Sequence, residues 1–130
     1  MQMQKLLVVD DEIDVCDFVK NFFEDRGFKV LYALNGTEAV SIVQREKPDL
    51  ILLDIKMQGL DGIATLRQIK EIYSAAKVIM VTALEDQDKV EDAYKYGAID
   101  YITKPLILEN LEETVAKNLS THSNNQAEII

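Results

Sequence analysis

Short apolar runs alternate along the chain with longer stretches in which apolar residues recur every three or four positions. The runs are Leu6-Leu7-Val8-Val9, Lys29-Val30-Leu31-Tyr32-Ala33, Leu50-Ile51-Leu52-Leu53, Val78-Ile79-Met80-Val81 and Ile99-Asp100-Tyr101-Ile102. The first, third and fourth are nearly continuous and rich in Val, Ile and Leu, as strands buried on both faces are. Helical spacing links Val15, Val19, Phe22 and Phe23, then Ala39, Val40 and Val43, then Ile63, Leu66 and Ile69. It returns at Val90, Ala93 and Tyr94 and at Leu108, Leu111, Val115 and Leu119. Each set makes one apolar helix face. The order is βα repeated five times, which predicts an α/β domain with a parallel sheet, helices on both faces and right-handed crossovers.

Local punctuation supports these boundaries. Gly27 and Gly97 each come after a helical stretch, where a left-handed cap suits glycine. Pro48 closes the second helix, and the Asp61 side chain can cap the third. Asn35-Gly36 is a hairpin signal, but Thr37 to Arg45 has helical period, so a loop-to-helix junction is expected there. From about Ser120 the chain turns polar and loses periodicity. The reading is one domain over residues 1–119 and a polar tail or start of a linker over 120–130.

Composition narrows the function. The 130 residues are 48% hydrophobic and 28% charged, a soluble balance for one domain. A net charge of −9 argues against this domain gripping nucleic acid by itself. No apolar run approaches membrane-spanning length. The N-terminal segment lacks a secretory leader's layout, so a cytoplasmic location is expected and the sequons at Asn35 and Asn118 are chance matches. The lone Cys16 falls on an apolar helix face and reads as a core residue.

The polar residues that matter stand just after the strands. Ligands of open parallel sheets bind outside the carboxyl ends of the strands. Asp10 and Asp11 come after the first strand, Asp54 ends the third, Thr82 the fourth, and Lys104-Pro105 comes after the fifth. In the sheet order 2-1-3-4-5, Asp10, Asp11 and Asp54 converge on one crevice, with Thr82 and Lys104 opposite. At ~5 Å and an effective dielectric of ~20, each carboxylate pair repels by about 3 kcal/mol. Three pairs rival the roughly 5–15 kcal/mol that stabilises a domain. Stability alone would not select such a cluster. A divalent cation relieves it, and an all-oxygen set suits Mg²⁺ or Mn²⁺ rather than zinc. A metal-bound carboxylate beside a lysine and a hydroxyl is equipped for phosphoryl transfer, with a carboxylate as nucleophile.

The run Leu6-Leu7-Val8-Val9-Asp10-Asp11-Glu12, the strand Pro48-Asp49-Leu50-Ile51-Leu52-Leu53-Asp54, Val81-Thr82-Ala83 and Gly97-Ala98-Ile99-Asp100-Tyr101-Ile102-Thr103-Lys104-Pro105 together resemble the receiver domain of two-component response regulators. The similarity covers about residues 4 to 119. It implies a flavodoxin-like doubly wound sheet of five strands. It implies Asp54 as the residue phosphorylated by a sensor histidine kinase or phosphotransfer protein. Mg²⁺ would be held by Asp11, Asp54 and the Lys56 carbonyl, with Asp10 acting through water. On the same resemblance, Lys104 would pair with the phosphoryl group, Thr82 would move toward it past small Ala83, and Tyr101 would turn inward. That motion would alter the surface of helix four, strand five and helix five, to be read by an output domain, a partner or a second phosphorylated copy. Lys56 and Leu84 would flank the water path of self-dephosphorylation, and a cis bond is expected before Pro105.

The chain departs from the family in two places. Gln58 stands where the family usually has proline, which loosens that loop. Glu112, Glu113 and Thr114 stand where one DNA-binding subfamily places basic residues for a paired dimer face.

Plainer explanations exist for each residue singly. Asp10-Asp11 could cap the first helix, and Thr82 with Glu85 fits a capping box. Lys104 could be loop solvation and Tyr101 a packed aromatic. His122, the one histidine, falls in the polar tail. A metal-dependent small-molecule phosphatase or phosphotransferase, or a non-phosphorylated binding module, are the rival functions. The first would need a cap or specificity loop, and no spare segment is present for one.

Overall fold

The computed structural model describes residues 3–129, with side chains through residue 119. Five strands and five helices alternate: β1 Lys5–Val9, α1 Ile13–Glu24, β2 Lys29–Ala33, α2 Gly36–Glu46, β3 Leu50–Asp54, α3 Gly62–Ile72, β4 Val78–Thr82, α4 Val90–Lys95, β5 Asp100–Thr103 and α5 Leu108–Ile129. A 3-10 segment, Leu84–Lys89, leads into α4. All pairings are parallel and the sheet order is β2-β1-β3-β4-β5.

The unbroken apolar runs are explained by two cores. Leu7, Val9, Ile51, Leu53, Val78 and Met80 point to one face and pack with Ala39 and Val43 of α2, Leu66 and Ile69 of α3, and Ala93 of α4. Their neighbours Leu6, Val8, Leu50, Leu52, Ile79 and Val81 point to the other and meet Cys16, Val19 and Phe23 of α1 and Leu111 and Val115 of α5. Alternate residues of a strand face opposite ways, so a strand covered on both sides must be apolar throughout.

Caps settle several local readings. Asn35 opens α2, its side chain accepting from the Glu38 N–H at 2.8 Å, so the Asn35-Gly36 pair is a helix start. Asp61 does the same for α3 through Ala64 N–H at 2.9 Å. Gly27 and Gly97 have φ of 89° and 105°. Neither Asp10 nor Asp11 caps α1, whose N-cap is Glu12 without a side-chain cap bond. Thr82 forms no capping box, because Ala83 stands at the start of the 3-10 segment. The backbone of α5 continues as helix to Ile129, into the stretch expected to be a polar tail. The side chains from Ser120 on, His122 included, lie outside the described residues.

Candidate functional site

Main-chain hydrogen bonds continue beyond the strand ends and hold the first residues of the adjoining loops. Asp10 N–H donates to Ala33 O at 3.1 Å, Ile55 N–H to Val81 O at 3.0 Å and Lys104 N–H to Thr82 O at 2.7 Å. The backbone at each of these strand ends is therefore tied to the neighbouring strand. Gly62 brings α3 tightly under the site. A Cβ there would lie 2.2 Å from the Asp54 carbonyl oxygen and 2.5 Å from Ile55 Cα, so no larger residue fits. The Lys104-Pro105 peptide is cis, as expected.

The three charged groups at the centre form one unit. Lys104 Nζ donates to Asp54 Oδ2 at 3.0 Å and lies 3.4 Å from Asp10 Oδ2. Asp54 Oδ1 accepts the Lys56 N–H at 3.2 Å, and Asp10 Oδ1 accepts the Glu12 N–H at 2.9 Å. Asp54 and Asp10 are only 4% and 2% exposed, which places two carboxylates beside a single ammonium away from bulk water. Burial pushes the Asp54 carboxyl up to about 6. The Lys104 hydrogen bond pulls it down, the Asp10 charge pushes it up, and burial wins. Burial alone would lower Lys104, but its hydrogen bond to Asp54 and the charges of Asp54 and Asp10 hold the ammonium above its ordinary value.

Asp11 stands on the exposed side of this unit, and its Oδ2 accepts the Gln58 N–H at 3.3 Å. Asp10, Asp11 and Glu12 each offer a carboxylate oxygen, all within 4.8 Å of one another. Sequence reasoning does not single out Glu12 as a member of this acidic group, although its place beside the acidic pair is the available signal. The donors are carboxylates throughout. Cys16 lies beneath them, its Sγ 3.5 Å from the Asp10 carbonyl, but burial pushes the thiol up to about 11 and keeps it protonated. The set therefore fits a hard divalent cation and not zinc.

Thr82 is fully buried, and its hydroxyl donates to the Ala83 carbonyl at 3.1 Å. Tyr101 sits on the outside of β5, 39% exposed, edge-on to Tyr94 with ring centroids 6.4 Å apart. Lys56 is exposed and Leu84 is exposed on the 3-10 segment. The structure thus joins Asp10, Asp54 and Lys104 by direct contact and sets Asp11 at their edge. It leaves Thr82, Tyr101 and Leu84 without a contact to Asp54 among the described hydrogen bonds. A groove of about 350 Å³ lies beside Lys104, lined by Glu12, Val15, Phe18, Pro105 and Leu106.

Residues 6–116 match the family model described as response regulator receiver domain. The chain belongs to that family. As a receiver domain it is 35% identical to sporulation initiation phosphotransferase F of Bacillus subtilis over 95% of this chain and 100% of that protein. It is 40% identical to the transcriptional regulatory protein ZraR of Escherichia coli over 91% of this chain, yet spans only 27% of ZraR. A CheY-like receiver domain protein from Methanospirillum hungatei superposes with a TM-score of 0.90 at 27% identity, covering 95% of this receiver and 99% of that chain. Receiver domains of this family act in two-component signalling. No helix among the described residues is long and apolar enough to cross a membrane.

Proposed function

We propose that this receiver is a phosphorylation switch whose phosphoacceptor is Asp54, charged by a sensor histidine kinase or phosphotransfer protein in the cytoplasm. The carrying observation is the buried Asp54 carboxylate at the end of β3, bonded through Lys104 to a second buried acid. An Asp54 oxygen attacks the phosphorus of a phosphohistidine. The P–N bond breaks, the imidazole leaves and takes a proton, and an aspartyl phosphate remains. Lys104, already 3.0 Å from Asp54, neutralises part of the charge that builds on the phosphoryl oxygens. Asp11, Asp54 and the Lys56 carbonyl would hold Mg²⁺ or Mn²⁺, with Asp10 acting through water. Bound there, the cation supplies the rest of the charge neutralisation.

The new phosphoryl oxygens draw the Thr82 hydroxyl away from the Ala83 carbonyl. Tyr101 gives up its exposed position on β5 and turns inward after it. The face of α4, β5 and α5, where Tyr94, Ile99 and Tyr101 are exposed, changes shape for an output domain, a docking partner or a second copy. Lys56 and Leu84 flank the approach of the water that returns Asp54 to its free state, and so set the lifetime of the signal.

Transfer of labelled phosphate from a phosphorylated histidine kinase should mark the wild type in the presence of Mg²⁺ and leave Asp54→Asn unmarked. Equal labelling of the two proteins would defeat the assignment.

A further inference from the structure

The loop between β3 and α3 is pinned at both ends. Ile55 N–H donates to Val81 O at 3.0 Å and Gly62 N–H to Ile55 O at 2.8 Å. Between those anchors, two main-chain amides two residues apart each face a carboxylate. Lys56 N–H donates to Asp54 at 3.2 Å, and Gln58 N–H donates to Asp11 at 3.3 Å, across 47 positions of sequence. Gly59, at φ 79°, turns the chain immediately after Gln58 and carries no Cβ into that turn. Asp11 is exposed, and the Gln58 amide is the donor that holds it among the described hydrogen bonds.

We infer that the main-chain N–H of Gln58 is a positioning group for Asp11, presetting this carboxylate for a divalent cation. The inference rests on the Mg²⁺ reading given above. The amide engages Oδ2 and fixes the direction in which the carboxylate points. Oδ1 is left for the cation, and the side chain no longer has to be ordered when the ion arrives. A proline at this position has no N–H to give. Residue 58, one of the places where this chain departs from its family, is thus the one that supplies the bond. The side chain of Gln58 plays no part, so any residue except proline serves.

Mg²⁺ titrations of the wild type, Gln58→Ala and Gln58→Pro, monitored by amide chemical shifts, separate the outcomes. Gln58→Ala should bind as the wild type does. Gln58→Pro should bind about three- to tenfold more weakly, the loss expected for one exposed charge-assisted bond. In the metal-free protein, Asp11→Ala should speed exchange of the Gln58 amide by a similar factor, with the melting temperature of Gln58→Pro unchanged. Equal affinity of Gln58→Pro and wild type, an equal loss in Gln58→Ala, or an unaltered Gln58 amide in Asp11→Ala would each overturn the inference alone. Failure of the wild type to bind Mg²⁺ would overturn the cation reading and this inference together.

Discussion

Asp54 is held at a cost to the fold. Its carboxyl is raised from 3.8 to about 6 in the folded chain, so the folded state binds the proton more tightly than the unfolded state does. Below the unfolded value both states are protonated and the group costs nothing. As the pH rises through the folded value, stability is lost. A shift of this size corresponds to about 3 kcal/mol at most, at 1.36 kcal/mol per unit. Asp54→Asn keeps the shape and removes the charge, while Lys104 retains Asp10 at 3.4 Å. Urea denaturation at pH 7.5 should therefore find Asp54→Asn more stable than the wild type by about 1–3 kcal/mol. At pH 3.5 the difference should shrink to almost nothing. A variant that is less stable at pH 7.5 would show that Lys104 binding outweighs burial.

Helix caps carry the next scale. Asp61 holds the start of α3, the helix that Gly62 presses against the Asp54 backbone. Asp61→Ala should cost about 0.5–2 kcal/mol in thermal or urea unfolding, and Asp61→Asn much less. This cap is legible in the sequence because aspartate precedes a glycine and a helical period. The strands β1, β3 and β4 are equally legible, since burial on both faces leaves four consecutive apolar residues in each and puts the polar residue at an end. Other features are hidden. Leu84–Lys89 has one apolar residue, Leu84, so no period marks it. The C-cap of α2 is Lys47, which has φ 46°, and Pro48 next to it keeps the helix from continuing; the proline signals the end of the helix but not the left-handed turn. Within the site, spacing locates Asp10, Asp54 and Lys104 at one sheet edge. The bond from Gln58 to Asp11 is not legible, because it depends on where the loop turns and not on the type of side chain at residue 58.

At the scale of the whole molecule, the parallel order brings the ends of β1, β3 and β5 to one rim and leaves a cluster of acids with one ammonium. A ligand that binds only the folded chain stabilises it by mass action. Mg²⁺ at ten times its dissociation constant should therefore raise stability by about 1.4 kcal/mol, visible as a higher melting temperature. Asp11→Asn should lose most of that gain. Monovalent salt at matched ionic strength should not reproduce it, since screening acts weakly on buried charges. A melting temperature that responds equally to both would mean that the rim is a general acidic surface.

The most direct measurement is the site of phosphorylation itself. The protein is treated with a small-molecule acyl phosphate and Mg²⁺, reduced with borohydride to trap any aspartyl phosphate, and mapped by peptide mass spectrometry. A single reduced residue at position 54, absent from Asp54→Asn, is the predicted result. Trapping at another acid of the rim, or at none while Mg²⁺ is bound, would contradict the account.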